Sequence, residues 1–147
     1  MIAVDTNILV YSHRRESRHH DAAVAEMRAL CEGASRWAIP WPCVCEFFSV
    51  VTNPRIWKDA SSTPDEAWAQ IDAWTESPRI VLLNETGDFL RTLESLVRRP
   101  RVRGPIVHDA RIAALCLAHG VQVLLSADRD FSLFPELRTR NPLTARP

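Results

Sequence analysis

Asp5, Glu46, Asp109 and Asp128 each stand in or beside an apolar stretch, where an ordinary solvated acid is out of place. Asp5 ends Ile2-Ala3-Val4, and Glu46 lies inside Cys43-Val44-Cys45-Glu46-Phe47-Phe48. Asp109 lies inside Ile106-Val107-His108-Asp109-Ala110-Arg111-Ile112-Ala113, and Asp128 follows Val123-Leu124-Leu125-Ser126-Ala127. A carboxylate taken out of water costs several kcal/mol unless it is paired or bound to metal. If folding gathers the four, their repulsion calls for a cation, and hard oxygen donors select Mg²⁺ or Mn²⁺. A divalent ion held this way suits a phosphodiester. It neutralises phosphate charge, lowers the pKa of a bound water and aligns the attacking and leaving oxygens. Two ions about 3.5–4 Å apart would clamp both oxygens.

Each acid also has a plain structural reading. Asp5 can cap the helix beginning at Thr6, and Asp109 can complement a helix dipole. Glu46 can sit on an exposed face, although its apolar neighbours leave little room for one, and Asp128 can be a turn aspartate. All four such readings holding at once is the weaker account. No histidine is needed: His13, His19, His20, His108 and His119 lack metal-ligand spacing, and His108 beside Asp109 is ambiguous. There is no G-x-x-x-x-G-K-[ST], G-x-G-x-x-G or G-x-S-x-G, and four glycines give little material for a phosphate-cradling loop.

The elements that must bring these acids together alternate between strand and helix. Ile2 to Val4 predicts a buried strand, and Asp5-Thr6-Asn7 starts a helix through Tyr11. Ser12 to His20 is polar and basic and predicts an exposed turn. Residues 21–32 follow as a helix with Gly33 as its stop. Trp37-Ala38-Ile39 is a second strand, and Pro40 and Pro42 lead into a helix through Val51, with Pro54 beyond it. Thr63-Pro64-Asp65-Glu66 is a capping box, opening a helix with Trp68, Ile71 and Trp74 on one side.

Arg79 to Leu83 predicts a strand and Glu85 to Arg98 a helix with a basic end. Gly104-Pro105 opens another helix that Gly120 closes. Val121 to Ser126 is a strand, residues 126–131 a turn, and Arg138 to Pro142 a last short strand. Such alternation means a mainly parallel sheet covered on both faces, a three-layer α/β/α domain. In such sheets ligands bind beyond the carboxyl ends of the strands. Asp5 and Asp128 follow strands directly. Glu46 and Asp109 sit about one turn into helices that leave from that same edge.

The chain has 147 residues, enough for one domain (1–147) with a sizeable core. Lys+Arg and Asp+Glu are both 18, so net charge points to no partner. Every basic residue but Lys58 is Arg, whose fork suits phosphate. Cys31, Cys43, Cys45 and Cys116 form no C-x-x-C pair and read as reduced, mostly core residues of a cytoplasmic protein. The first residues do not form a signal peptide, and no apolar run approaches the roughly 18 residues of a membrane span.

The ordered acids resemble those of the PIN domain family, in particular the VapC-type toxins of bacterial toxin–antitoxin pairs. The resemblance starts with Ile2-Ala3-Val4-Asp5-Thr6-Asn7-Ile8-Leu9-Val10. It continues through Ala38-Ile39-Pro40-Trp41-Pro42 and Glu46, and is strongest around Asp109 and in Ser126-Ala127-Asp128-Arg129-Asp130-Phe131. It implies a PIN fold and a metal-dependent endoribonuclease whose acidic quartet is Asp5, Glu46, Asp109 and Asp128. It makes Thr6 and Asn7 polar partners of the first acid. Ser126 becomes a contact to a metal's water or ligand, and Asp130 an extra acid found in some members. It further implies a small antitoxin that folds into a groove, a homodimer, and a structured RNA target such as tRNA or rRNA.

Two basic segments could hold RNA. One is Arg14, Arg15 and Arg18; the other, denser and leading to Asp109, is Arg98, Arg99, Arg101 and Arg103. The plain reading of either is a solvated loop. Trp68 and Trp74 on one helix could be core or the wall of a partner groove. Two other classes stay open. One is a module with this fold that binds RNA or protein without cutting. The other is a phosphohydrolase or receiver-like protein with Asp5 as phosphoryl acceptor, which would want an acid where Asn7 stands and a Lys nearer than Lys58.

Overall fold

Short strands, all apolar but the last and each too brief to stand alone, line up in register in the computed structural model, which describes residues 1–144. They are β1 (Ile2–Val4), β2 (Trp37–Pro40), β3 (Ile80–Leu83), β4 (Val123–Leu125) and β5 (Thr139–Arg140). All pairings are parallel, and the order is β3-β2-β1-β4-β5. Strands buried on both faces read as continuous apolar runs, as β2 does with all its residues buried. Seven α-helices among the described residues flank the sheet: α1 (Thr6–His13), α2 (His20–Glu32), α3 (Trp41–Val51), α4 (Pro54–Trp57), α5 (Pro64–Thr75), α6 (Phe89–Val97) and α7 (Ile106–Ala118). The result is the three-layer α/β/α arrangement expected. Residues 145–147, the end of the expected single domain, lie outside the described residues.

One connected cluster of buried side chains runs from Ala3 to Leu137, with Trp37, Phe47, Phe131 and Phe134 its largest fully buried members. The strand order reverses at β1, whose neighbours β2 and β4 lie on opposite sides. A crevice therefore opens beyond its carboxyl end. That crevice is where Asp5 stands.

Several local expectations need correction. Asn53-Pro54 does not merely follow α3; it starts α4, with the Asn53 side chain accepting from Arg55 N at 2.9 Å and Pro54 in the first turn. A 3-10 turn (Lys58–Ala60) continues it. Helix α6 begins at Phe89 rather than Glu85: a turn at Gly87-Asp88, with Phe89 N donating to the Thr86 carbonyl at 3.0 Å, precedes it, and Glu85 in the loop before pairs with Arg111 of α7. Gly33 does not stop α2 by a left-handed turn, since its φ is −70°. Glycine is needed there because a Cβ would lie 2.6 Å from the Ala29 carbonyl oxygen. Gly120 does take the left-handed conformation, at φ +65°, and closes α7.

The capping box at Thr63 forms as expected, with Glu66 N donating to Thr63 Oγ1 and Thr63 N to Glu66. Trp68 leaves the expected stripe. Ala67, Ile71 and Trp74 are buried, whereas Trp68 is exposed and stands edge-on to Phe48. Six residues turn a helix through about 600°, so Trp68 and Trp74 point apart. All four cysteines are free thiols. Cys43 and Cys116 are buried, Cys31 half-buried and Cys45 exposed.

Candidate active site

Asp5 sits immediately beyond β1, with its backbone N–H donating to the Leu125 carbonyl of β4 at 3.0 Å. Its side chain is buried, and both carboxylate oxygens are hydrogen-bonded. Oδ1 accepts from Thr6 N at 2.8 Å, so Asp5 also caps α1. Oδ2 accepts from the Ser126 hydroxyl at 2.6 Å and from the Asn7 amide. The Cys43 thiol of α3 lies 3.8 Å from Oδ1. The plain reading of Asp5 as a cap and the functional reading therefore hold together.

Ser126 ties both ends of the site. Its hydroxyl donates to Asp5 and accepts from Asn7 at 3.1 Å and from Asp128 N at 3.0 Å. Asn7 also accepts from Ala127 N at 3.0 Å, so α1 and the turn after β4 are locked to each other. Thr6 Oγ1 donates to Glu46 at 2.6 Å, fixing the carboxylate of α3 against α1. Asp130 N donates to Asp128 Oδ1 at 2.8 Å.

A cleft of about 350 Å³ collects the expected residues. Asp5, Thr6, Asn7, Glu46, Asp109 and Asp128 line it, so the acids of β1, α3, α7 and the β4 turn meet in one place. Their burial is graded. Asp5 is buried and Asp109 half-buried, whereas Glu46 and Asp128 are exposed to the cleft. Asp130 is exposed beside it and does not line it.

Burial pushes Asp5 up to about 6, against the hydrogen bonds from Ser126 and Thr6 and with added repulsion from Glu46 and Asp128. Asp109 is also raised to about 6, first by burial and then by Asp128, Asp5, Asp130 and Glu46. Two raised carboxylates facing further acids are the electrostatic signature of a cation site. The side chains do not stand as a closed cage, however. Among the described residues, no three His, Cys, Asp or Glu side chains are drawn together tightly enough to hold an ion as they stand.

The sequence missed the cleft's apolar walls. Val10, Tyr11, Val50 and Trp57 line it together with the acids. Trp57 hangs from α4, its indole N–H donating to the Val50 carbonyl at 2.8 Å. The Asn53-Pro54 start signal was present in the sequence and would have placed that tryptophan on a helix next to α3.

The basic segments fare differently from the acids. Arg98 pairs with Glu94, and Arg99 with Glu136 and the Leu133 carbonyl. Arg101 and Arg103 are exposed and make no ion pair or hydrogen bond among the described residues. In the other segment Arg14 is not part of an exposed turn. Helix α1 runs on to His13, and Arg14 is 5% exposed, its guanidinium 4.1 Å from the Trp57 ring.

A parallel sheet reversing at β1, with four acids gathered at the reversal, defines a PIN-type fold, and comparison with known families agrees. The PIN domain family matches residues 2–137, and the chain belongs to that family. Its relatives include Ribonuclease VapC43 of Mycobacterium tuberculosis, 32% identical over 143 residues, 97% of this chain and 96% of the relative. Among solved structures, VapBC2 from Rickettsia felis, bound to a DNA fragment from its promoter, superposes with a TM-score of 0.69 at 18% identity, over 96% of this chain and 98% of that one. The sarcin-ricin-loop-cleaving toxin VapC20 of Mycobacterium tuberculosis superposes with a TM-score of 0.66 at 20% identity, over 90% of this chain and 93% of that one.

Proposed function

We propose that this chain is the toxin of a type II toxin–antitoxin pair and a metal-dependent endoribonuclease. The observation that carries this reading is the gathering of Asp5, Glu46, Asp109 and Asp128 from four elements around one cleft. The full-length similarity to a protein named a ribonuclease supports it. The quartet would hold Mg²⁺ or Mn²⁺: its donors are all hard oxygens, and the burial, with the added repulsion, that raises Asp5 and Asp109 is what a bound cation offsets. When bound, such an ion supplies neutralisation of phosphate charge and a water of lowered pKa.

The chain's own residues do the positioning. Ser126, Asn7 and Thr6 N hold the Asp5 carboxylate in one orientation. Thr6 holds Glu46 across the cleft, and Ser126 fixes the backbone that carries Asp128. Tyr11 and Trp57 supply an aromatic wall on which an unstacked base can lie. Asp130 would act only by orienting Asp128, whose Oδ1 its N–H already engages.

The substrate we infer is a structured RNA, tRNA or rRNA; the similarity to a sarcin-ricin-loop-cleaving toxin supports the latter. Arg101 and Arg103 would make phosphate contacts, with Arg98 and Arg99 joining only by leaving their acidic partners. The likeness to a VapBC pair supports a small cognate antitoxin, and through it a site of action in the cytoplasm. Exposed Trp41, Leu90 and Val107, on α3, α6 and α7, offer apolar surface to a second copy in a homodimer. Among the described residues no helix is long and apolar enough to cross a membrane.

The open spacing of the acids favours one other reading, a module that binds RNA or protein without cutting. Incubating the purified, partner-free chain with total cellular RNA separates the two. Discrete fragments in Mg²⁺ or Mn²⁺ that vanish with EDTA and in Asp109→Asn are expected. Intact RNA with a folded, metal-loaded protein would instead select the binding module.

A further inference from the structure

Four polar or charged residues among those described are buried: Asp5, Thr6, Ser126 and Arg14. The first three belong to the acid cleft. Arg14 belongs to none of its contacts, yet it lies one indole away, because Trp57 lines the cleft and also stacks on the Arg14 guanidinium. We propose that Arg14 and the cavity beside it form a second, phosphate-binding subsite for the RNA strand that enters the acid cleft. This deepens the ribonuclease reading and rests on it.

The case begins with how poorly Arg14 is satisfied. A guanidinium carries five N–H donors in a planar fork. Here Nη2 pairs with Glu16, and Nη1 reaches Ser62 Oγ only at 3.5 Å. Nε is buried with no hydrogen-bond partner among the described residues. A buried guanidinium kept only for stability is a poor choice, since an apolar side chain of similar size would cost less. An unsatisfied buried donor asks for a further explanation, and a fork with spare donors matches a phosphate.

The cavity beside it is lined mostly by polar and charged side chains. It measures about 960 Å³ and lies between the end of α1, the start of α2, the Lys58–Ala60 turn and α5. His13, Arg15, His20 and Ser62 line it with Arg14. His13 Nε2 and Ser62 Oγ lie 2.9 Å apart, so Ser62 links the histidine to the arginine. A cavity this size exceeds one side chain and falls in the range of roughly 300–1,000 Å³ usual for ligand sites.

The acids of the cavity fit this reading. Glu66 is committed to capping α5 at Thr63. Glu16, from the turn after α1, is half-exposed and accepts from Nη2 of Arg14, a donor that a phosphate would also use. Asp59 also lines the cavity. Together Glu16 and Asp59 disfavour a free anion. A strand already held in the acid cleft presents its next phosphate at high effective concentration, so it can displace Glu16 where inorganic phosphate cannot.

The test measures binding of a labelled single-stranded RNA 12-mer to the full chain in Ca²⁺, a hard divalent ion that oxygen ligands accept, by anisotropy across salt concentration, with the RNA checked to be intact afterwards. Glu16→Gln removes the competitor and should bind about threefold tighter or more, the size expected for one ion pair withdrawn from competition. Arg14→Met keeps the packing on Trp57 and should lower the salt slope by about 0.7. Affinity and slope unchanged in Glu16→Gln would overturn the subsite, and this holds even if Arg14→Met does not fold. A poly-glutamate peptide that competes with RNA in wild type and not in Arg14→Met, at lower concentration than RNA itself, would also overturn it, by assigning the site to protein. The nuclease reading fails separately. Arg14-dependent binding without any cleavage in Mn²⁺ leaves the subsite standing on a binding module, whereas cleavage with no effect of either variant removes only the subsite.

Discussion

The acidic quartet and the arginine segment Arg98–Arg103 are opposite cases. The acids are scattered over more than a hundred positions, yet the fold brings them to one cleft and ties Asp5 and Glu46 there with hydrogen bonds from Thr6, Asn7 and Ser126. The arginines are neighbours in sequence, yet the fold divides them: two are spent on ion pairs and two face solvent. Nearness along the chain is no guide to a shared site. Position relative to the carboxyl edge of the sheet is a better one, because topology fixes it.

The contrast is broken most sharply by mutation. Asp109→Asn should reduce RNA cleavage to background, while no single arginine change between Arg98 and Arg103 should approach that loss; initial rates on one purified RNA check both. Ser126→Ala should follow, lowering activity about ten- to a hundredfold, as loss of a group orienting a metal ligand does. Because the Ser126 hydroxyl lowers the Asp5 pKa, the acid limb of the rate profile should also move to higher pH. An unchanged limb would mean that Ser126 only packs.

The arginine side of the contrast is gentler. Arg101→Gln with Arg103→Gln should reduce the salt slope of RNA binding by about 1.4, at about 0.7 per contact on single strands. Arg98→Gln with Arg99→Gln should change it less, because each already has an acidic partner. Equal slopes for the two pairs would show that the ion pairs open freely.

Smallest is the effect on stability. In metal-free protein Asp5 and Asp109 titrate near 6 instead of 3.8. The folded state holds their protons more tightly than the unfolded chain, so their stabilising contribution is full below about pH 4 and is lost as pH rises through 6. Asp5→Asn in EDTA should therefore be more stable than wild type by about 1–2 kcal/mol at pH 7.5, discounted for poorer acceptors, with the gain gone at pH 4. Urea unfolding at the two pH values decides it, and a gain equal at both would remove burial as the cause.

The sequence made the alternation of strand and helix legible, because short apolar runs bounded by Pro and capping residues carry their own signal. Asp5 and Asp128 could be placed from the strands they follow, and Glu46 and Asp109 from helix starts at Pro42 and Pro105. What stayed hidden depends on contacts between distant segments. Trp57 enters the cleft through a short helix whose start at Asn53-Pro54 reads equally as the end of α3. Arg14 looks solvated among His13, Arg15 and Glu16, and only the docking of α4 buries it beneath an indole. Trp68 and Trp74 look like one stripe until the helical angle between them is counted.

The most direct measurement is Mn²⁺ binding to the full chain, followed by titration calorimetry, for wild type and for Asp5→Asn, Glu46→Gln, Asp109→Asn and Asp128→Asn. If the four acids act as one site, each substitution should weaken binding of the ion, and cleavage should fall in step with it. Mn²⁺ binding that survives all four substitutions, or cleavage that persists in a variant that has lost the ion, would contradict a nuclease built on this quartet.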